Sequence, residues 1–335
     1  MDFFGAQEAA KKRTFLAIVL FILAVLTTAV AVYAAFTMAM NYGSPTWYRA
    51  PIENFNLPTF LWCVLGTAAV VLAGTGYKIA SLSGGGLSVA ESVGARLVDP
   101  ATTDEIERVL LNVVEEMSIA SGYNMPQVGI LDDEPEINAF AAAITPQDAV
   151  VVVTRGTLER LNRDELQAVI GHEFSHLLNG DCKLNINLAG WIWGLFVVSI
   201  IGRLVLNMAG TRGDSDRRRS GTAFMLFGFA LLIIGAIGWF FGRIIQALIS
   251  RQREFLADAS SVQFTRNAPA MVTALARIRA GSQIEHHNAA GFAHFFFAPS
   301  GLSGESFNLL ATHPPLEKRM KAIDENYERI VKEIK

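Results

Sequence analysis

Hydrophobic residues occur in two patterns along this chain, continuous runs and periodic ones. Residues 15–36, "FLAIVLFILAVLTTAVAVYAAF", carry no charge and are long enough to cross a hydrocarbon core of about 30 Å as a helix. Lys11, Lys12 and Arg13 precede the run in the manner of a signal peptide. The run is longer than the roughly 7–15 residues of a signal core, however, and a second run follows soon after, so an uncleaved membrane helix is expected. That second run is residues 59–80, with Lys78 near its end and Pro45, Pro51 and Pro58 in the connection before it. Lys78 is placed to reach the interface along its aliphatic stem. Two further runs, residues 186–206 and 224–249, are weaker spans. Each contains an arginine, Arg203 or Arg243, which is costly in a bilayer unless it snorkels or pairs.

Between the second and third runs the pattern becomes periodic. "SLSGGGLS" reads as a flexible linker. In "TTDEIERVLLNVVEEMSIASG", Asp104 and Glu105 follow a threonine cap. Ile106, Val109, Leu110, Val113, Val114 and Met117 then recur at helical spacing, up to a stop at Gly122. "QVGILDD", "NAFAAAI" and the β-branched "AVVVVTRG" read as three short strands. "TLERLNRDELQAVIGHEFSHLLNGD" returns to helix. The pattern divides the chain into a membrane anchor (1–80), a first soluble part (81–185), a helical hairpin in or on the membrane (186–249) and a second soluble part (250–335). The last is helical, with a Gly/Ser/Phe-rich loop around 281–308. The expected class is an α+β membrane protein, mostly helical, with a small sheet and about four membrane helices.

Composition agrees: 51% of the 335 residues are hydrophobic and 18% charged, against about 25% charged in a typical soluble domain. A net charge of −3 gives no reason to expect a nucleic-acid partner. Cys63 and Cys182 are far apart and suggest neither a disulfide framework nor a cysteine zinc site. The basic cluster at residues 11–13 places the N-terminus in the cytoplasm, and two crossings return 81–185 to that side. A hairpin then brings 250–335 to the same compartment. Arg212, Arg217, Arg218 and Arg219 oppose this orientation, which leaves the depth of the hairpin open.

Candidate chemistry lies in "GHEFSHLLNGD", residues 171–181. His172 and His176 share one face of a helix and can aim at one ion, with Glu173 displaced to stand beside a bound water. The alternative is a solvated helix face. A catalytic zinc takes three protein ligands. A third histidine ten residues after the first is ruled out, because position 182 is cysteine. Downstream, "SRQREFLADAS" offers Glu254 as a ligand and Asp258 as a hydrogen-bond acceptor for a ligand ring N–H, and Asp181 is a similar candidate.

"GHEFSHLLNGD", "SRQREFLADA" and "THPPLEKRMKAI" in this order resemble the HtpX-like integral-membrane zinc metallopeptidases, relatives of the CAAX prenyl proteases. The resemblance runs from about residue 89 to 323 and includes "VAESVGARLVDP", "INAFAAAI" and "VVVTRGTLERLNRDEL". It implies a zincin-like (gluzincin) protease domain with one Zn2+ per subunit. His172, His176 and Glu254 would be ligands, Glu173 the general base and Asp258 the support of a ligand. Asn138, Ala139, Phe140 and Ala141 would form a strand beside the site that pairs with an extended substrate. His313 and Arg319 match the "HPP…R" element, either stabilising an oxyanion or locking the C-terminal helix. His294, His286 and His287 are expected to be packing or solvated residues. The chain departs from the family in "AFAAAITPQ", which lacks the family's usual glycine.

The expected function is endopeptidase cleavage of polypeptides, misfolded or damaged membrane proteins above all. The expected location is the inner (plasma) membrane, with the protease domain facing the cytoplasm. A catalytically dead adaptor would have little reason to keep Glu173. A transporter is disfavoured because no span carries an acidic relay or paired broken helices. Oligomeric state, regulation and cleavage specificity are not readable from the sequence.

Overall fold

A computed structural model describes residues 3–210, 218–281 and 310–332. Along the chain, α1 (Phe3–Met40) is followed by a short turn of 3-10 helix, then α2 (Ala50–Glu53) and α3 (Leu57–Leu82). Next come α4 (Gly85–Ser92), β1 (Arg96–Leu97), α5 (Glu105–Ser121), β2 (Gln127–Leu131), β3 (Ala139–Ala142) and β4 (Val150–Thr154). Helices α6 (Arg155–Arg160), α7 (Arg163–Leu178), α8 (Asp181–Gly210) and α9 (Arg218–Thr265) follow. The last described elements are α10 (Ala268–Gly281), α11 (Leu316–Ile323) and α12 (Tyr327–Lys332). Two compact units result: residues 14–81 with 186–246, and residues 1–13 with 82–185 and 247–335.

The first unit is helical. Among the described residues, four stretches are long and apolar enough to cross a membrane: Ile18–Met40, Leu57–Leu82, Asp181–Ala209 and Gly221–Thr265. Its core holds Val32, Val71, Leu195, Val198 and Leu231. Helices approach closely at small residues, the usual solution where lipid offers no hydrophobic drive for helix association. A Cβ at Gly194 would stand 2.4 Å from the Val71 carbonyl oxygen, and one at Gly235 would stand 2.3 Å from the Ser199 nitrogen. Large apolar side chains such as Phe15, Leu65, Trp62 and Phe229 point outward, as a lipid-facing surface requires. Of the residues whose placement in a span is costly, Arg243 donates to Gln246 Oε1 at 2.9 Å. Lys78 Nζ lies 5.5 Å from the centre of the Trp193 ring.

The second unit is built on a four-stranded sheet of order β1-β2-β4-β3. Strand β2 runs parallel to β4, while β1 and β3 are antiparallel edge strands. The three expected strands form, and β1 is an addition too short to leave a periodic signal. Alternate residues serve opposite faces. Ala139, Ala141, Val151 and Val153 join the main core with α5, α7 and α10, whereas Phe140, Ala142, Val150 and Val152 pack with Ala90 of α4. β4 is buried throughout, which explains its unbroken valine run.

Three local expectations need correction. The cap of α5 is not a threonine: Asp104 Oδ1 accepts from the N–H groups of Ile106 and Glu107. The expected single helix over 157–181 is broken at Leu161–Asn162. There Asn162 and Glu165 form a reciprocal capping box that starts α7 afresh. "SLSGGGLS" is mostly not a linker, because Gly85 begins α4. Gly85 itself lies in the left-handed region (φ 86°), whereas Gly86 is needed for close contact. A Cβ on Gly86 would lie 2.3 Å from the Ala142 oxygen and 2.4 Å from the Asp148 oxygen. Gly86→Ala is therefore expected to destabilise the fold by about 1–3 kcal/mol. An unchanged apparent Tm in detergent would contradict this reading of the α4 contact.

Candidate metal centre

α7 is buried on nearly all sides, so its polar residues must find partners within the protein. His172 is fully buried and Glu173 is 2% exposed. His172 Nδ1 stands 2.9 Å from Asp258 Oδ1. His176 Nδ1 stands 2.8 Å from Asp181 Oδ2. A carboxylate only accepts, so each Nδ1 carries a proton and each Nε2 is left to share a proton or hold a cation. The two Nε2 atoms face each other at 3.1 Å. Glu254, on α9, completes the group, with Oε2 3.6 Å from His172 Nε2 and Oε1 3.8 Å from His176 Nε2.

These distances fit a metal ion. Bonds of about 2.0–2.2 Å at the tetrahedral angle set ligand atoms about 3.3–3.6 Å apart. Two imidazole lone pairs aimed at one point repel unless a cation or proton lies between them. The electrostatics agree. Burial lowers the His176 pKa, but the carboxylates of Asp181, Glu254 and Glu173 outweigh it and bring the ring up to about 9. The surroundings of His176 thus favour positive charge at this point. At His172 burial dominates over the opposing Asp258 bond, and the pKa falls to about 4, leaving a neutral ring suited to ligation. Burial raises Glu173 to about 7, against the opposing pull of His176.

A third layer holds the carboxylates. Arg319, on α11, is completely buried. Its Nε donates to Asp258 Oδ2 at 2.9 Å and its NH2 to Asp258 Oδ1 at 2.6 Å. Its NH1 lies 2.9 Å from Glu254 Oε2. His313 Nδ1 lies 3.1 Å from Glu254 Oε1. Asp181 opens α8, one residue after Gly180 in the left-handed region (φ 66°), rather than ending the helix that carries the histidines.

Residues 138–141, the expected substrate strand, differ in where their backbone groups point. The Asn138 N–H goes to Thr154 and Thr157 hydroxyls, and its C=O accepts from the Thr154 N–H. Alternation along an antiparallel pair then turns the Phe140 backbone toward β4 and that of Ala139 and Ala141 toward the outer edge. The Phe140 side chain is core. At the outer edge, the Ala141 C=O accepts from Cys182 Sγ at 3.3 Å, and an Ala141 backbone hydrogen bond reaches Glu173. Asn138 thus supports β3 from its end, its Oδ1 accepting from the Ala139 N–H. His286, His287 and His294 lie outside the described residues. Arg253, Thr154 and Thr157 were not singled out by the sequence. Their partners lie far along the chain or are backbone groups, and neither leaves a spacing signal.

Residues 100–327 match the model of peptidase family M48. A protein named "Protease HtpX homolog" from Streptococcus equi subsp. equi is 36% identical over 63% of this chain and 71% of its own length. One of the same name from Bacteroides fragilis is 35% identical over 70% and 72%. Another, from Streptococcus thermophilus, is 35% identical over 78% and 88%. A crystal structure of S. mikatae Ste24p aligns with a TM-score of 0.44 at 15% identity, covering 93% of this chain and 66% of that one. The match begins before α5 and runs through α7, α9 and α11, so it takes in both histidines, Glu254 and Arg319. With its apolar helices, the chain is a multi-pass membrane metallopeptidase, and it belongs to peptidase family M48.

Proposed function

We propose that the chain is a zinc-dependent endopeptidase that cuts misfolded or damaged membrane proteins on the cytoplasmic side of the inner (plasma) membrane. The observation that carries the zinc assignment is the convergence of two Nδ1-protonated imidazoles and the Glu254 carboxylate on one point. Three protein donors, two nitrogens and one oxygen, are the set of a catalytic zinc, whereas a structural zinc takes four. His172, His176 and Glu254 would hold the zinc, which when bound would supply Lewis acidity toward water and a peptide carbonyl.

The protein's own residues do the remainder. Glu173, one residue after His172, accepts a proton from the attacking water and returns it to the leaving amine. Its raised pKa of about 7 suits both transfers near neutral pH. Asp258 and Asp181 hold the two rings in their ligating orientation. The outer edge of β3 offers backbone groups of Ala139 and Ala141 to an extended substrate by strand addition. The Ala139 N–H is engaged by Asn138 Oδ1, the Ala141 carbonyl by Cys182 Sγ and the Ala141 backbone by Glu173, so a pairing substrate must displace these bonds. Of the two roles open to Arg319, its engagement with Asp258 and Glu254 supports locking α11 to the centre. For His313, 3.1 Å from the Glu254 ligand oxygen, oxyanion stabilisation stays the role to be tested.

The cytoplasmic orientation rests on Lys11, Lys12 and Arg13, and the choice of substrate on the membrane helices and the HtpX-named relatives. His172→Ala is expected to lower bound zinc from one equivalent to almost none in the purified full chain, together with peptide hydrolysis. Full zinc occupancy in that variant, read by metal analysis, would refute the site.

A further inference from the structure

We propose that Arg253 is a positioning residue of the metal centre, acting on His176 through Asp181. This rests on the zinc reading above. Asp181 uses its two oxygens for different tasks. Oδ2 lies 2.8 Å from His176 Nδ1, and Oδ1 lies 2.8 Å from Arg253 NH1. Asp181 is 4% exposed, so water does not compete strongly for either oxygen.

The need for a second anchor follows from side-chain mechanics. The terminal torsion of an aspartate is broad, so one hydrogen bond does not fix the plane of its carboxylate. An ion pair on the other oxygen adds a second restraint. A related but tighter arrangement occurs at the other histidine: Asp258 Oδ1 holds His172 Nδ1, and Arg319 donates to both Asp258 oxygens, from Nε to Oδ2 and from NH2 to Oδ1. The centre thus contains two relays, His172–Asp258–Arg319 and His176–Asp181–Arg253.

Both relays are tied to α9, the first through Asp258 and the second through Arg253. Arg253 immediately precedes Glu254 on α9. One turn of helix therefore supplies the third ligand and the anchor of the second ligand's support. A shift of α9 that moves Glu254 away from the histidines also loosens His176.

The test is zinc affinity, measured by chelator competition on the full chain in detergent, for wild type, Arg253→Met, Arg253→Lys, Asp181→Asn and the double variant Asp181→Asn/Arg253→Met. Arg253→Met is expected to weaken zinc about 10–100-fold, the range for residues that support metal ligands. Arg253→Lys keeps the charge and recovers part of the loss. In the Asp181→Asn background, Arg253→Met should change affinity by less than about twofold, because the route through which it acts is gone. A general packing role predicts the same loss in both backgrounds, and that result overturns the proposal. So does wild-type affinity in Arg253→Met. If Arg253→Met does not fold, Arg253→Lys with and without Asp181→Asn makes the same comparison. Failure of wild type itself to bind zinc would overturn the centre as a whole. Wild-type binding with an indifferent Arg253 overturns this inference alone.

Discussion

Glu173→Gln is expected to retain one equivalent of zinc while peptide hydrolysis falls by about 10²–10⁴-fold, the usual contribution of a positioned general base. The substitution replaces one carboxylate oxygen by an amide NH2 and leaves shape nearly unchanged. At 2% exposure Glu173 has no solvent to deputise for it as a proton acceptor. It is not among the three converging donors, so the metal loses no ligand. Zinc analysis and a peptide-release assay on the same sample separate the two effects. Undiminished hydrolysis would sink the assignment of the base, and loss of zinc would show that Glu173 holds the metal instead. Because such a variant binds substrate without consuming it, capture in cells followed by identification also tests whether membrane proteins are the targets.

Arg319→Met is expected to destabilise the protein by about 3–5 kcal/mol, the cost of leaving buried charge without its partner. Asp258 is completely buried and Glu254 is 5% exposed, and Arg319 contacts both. Methionine fills much of the volume but neutralises neither carboxylate. Arg319→Lys should recover little, since a single ammonium cannot reproduce a fork that meets two oxygens of Asp258 and one of Glu254. The apparent Tm in detergent should fall by at least about 5 °C in both variants. A Tm within about 1 °C of wild type would mean that the pair is not needed for stability. Saturating zinc should restore part of the loss in either variant, because a divalent cation at Glu254 supplies some of the missing positive charge.

The sequence was informative where chemistry is local. His172 and His176 are one helical turn apart, and the capping, strand and apolar signals that place them are equally short-range. Glu254 and Asp258 were legible as one face of a later helix, but nothing local says that this face meets the histidines. The resemblance to HtpX-like peptidases supplied that step. Arg253 escaped notice because its partner, Asp181, lies on another helix, and an arginine in a charged helical stretch is ordinarily solvated. α4 was missed because three consecutive glycines signal freedom, whereas Gly86 is there to admit the carbonyl oxygens of Ala142 and Asp148. The break between α6 and α7 was written in "NRDE", but the apolar pattern carries through it without interruption.

His172 and Arg319 meet across 147 residues of chain. During synthesis the ribosome adds about 5–20 residues each second, so roughly 7–30 s separate the appearance of the first from that of the second. Glu254 and Asp258 appear partway through that interval, and from then until Arg319 is made they lack the cation that neutralises them. A protease whose own nascent chain is an unfolded membrane protein thus completes its metal site only after most of that chain has been made.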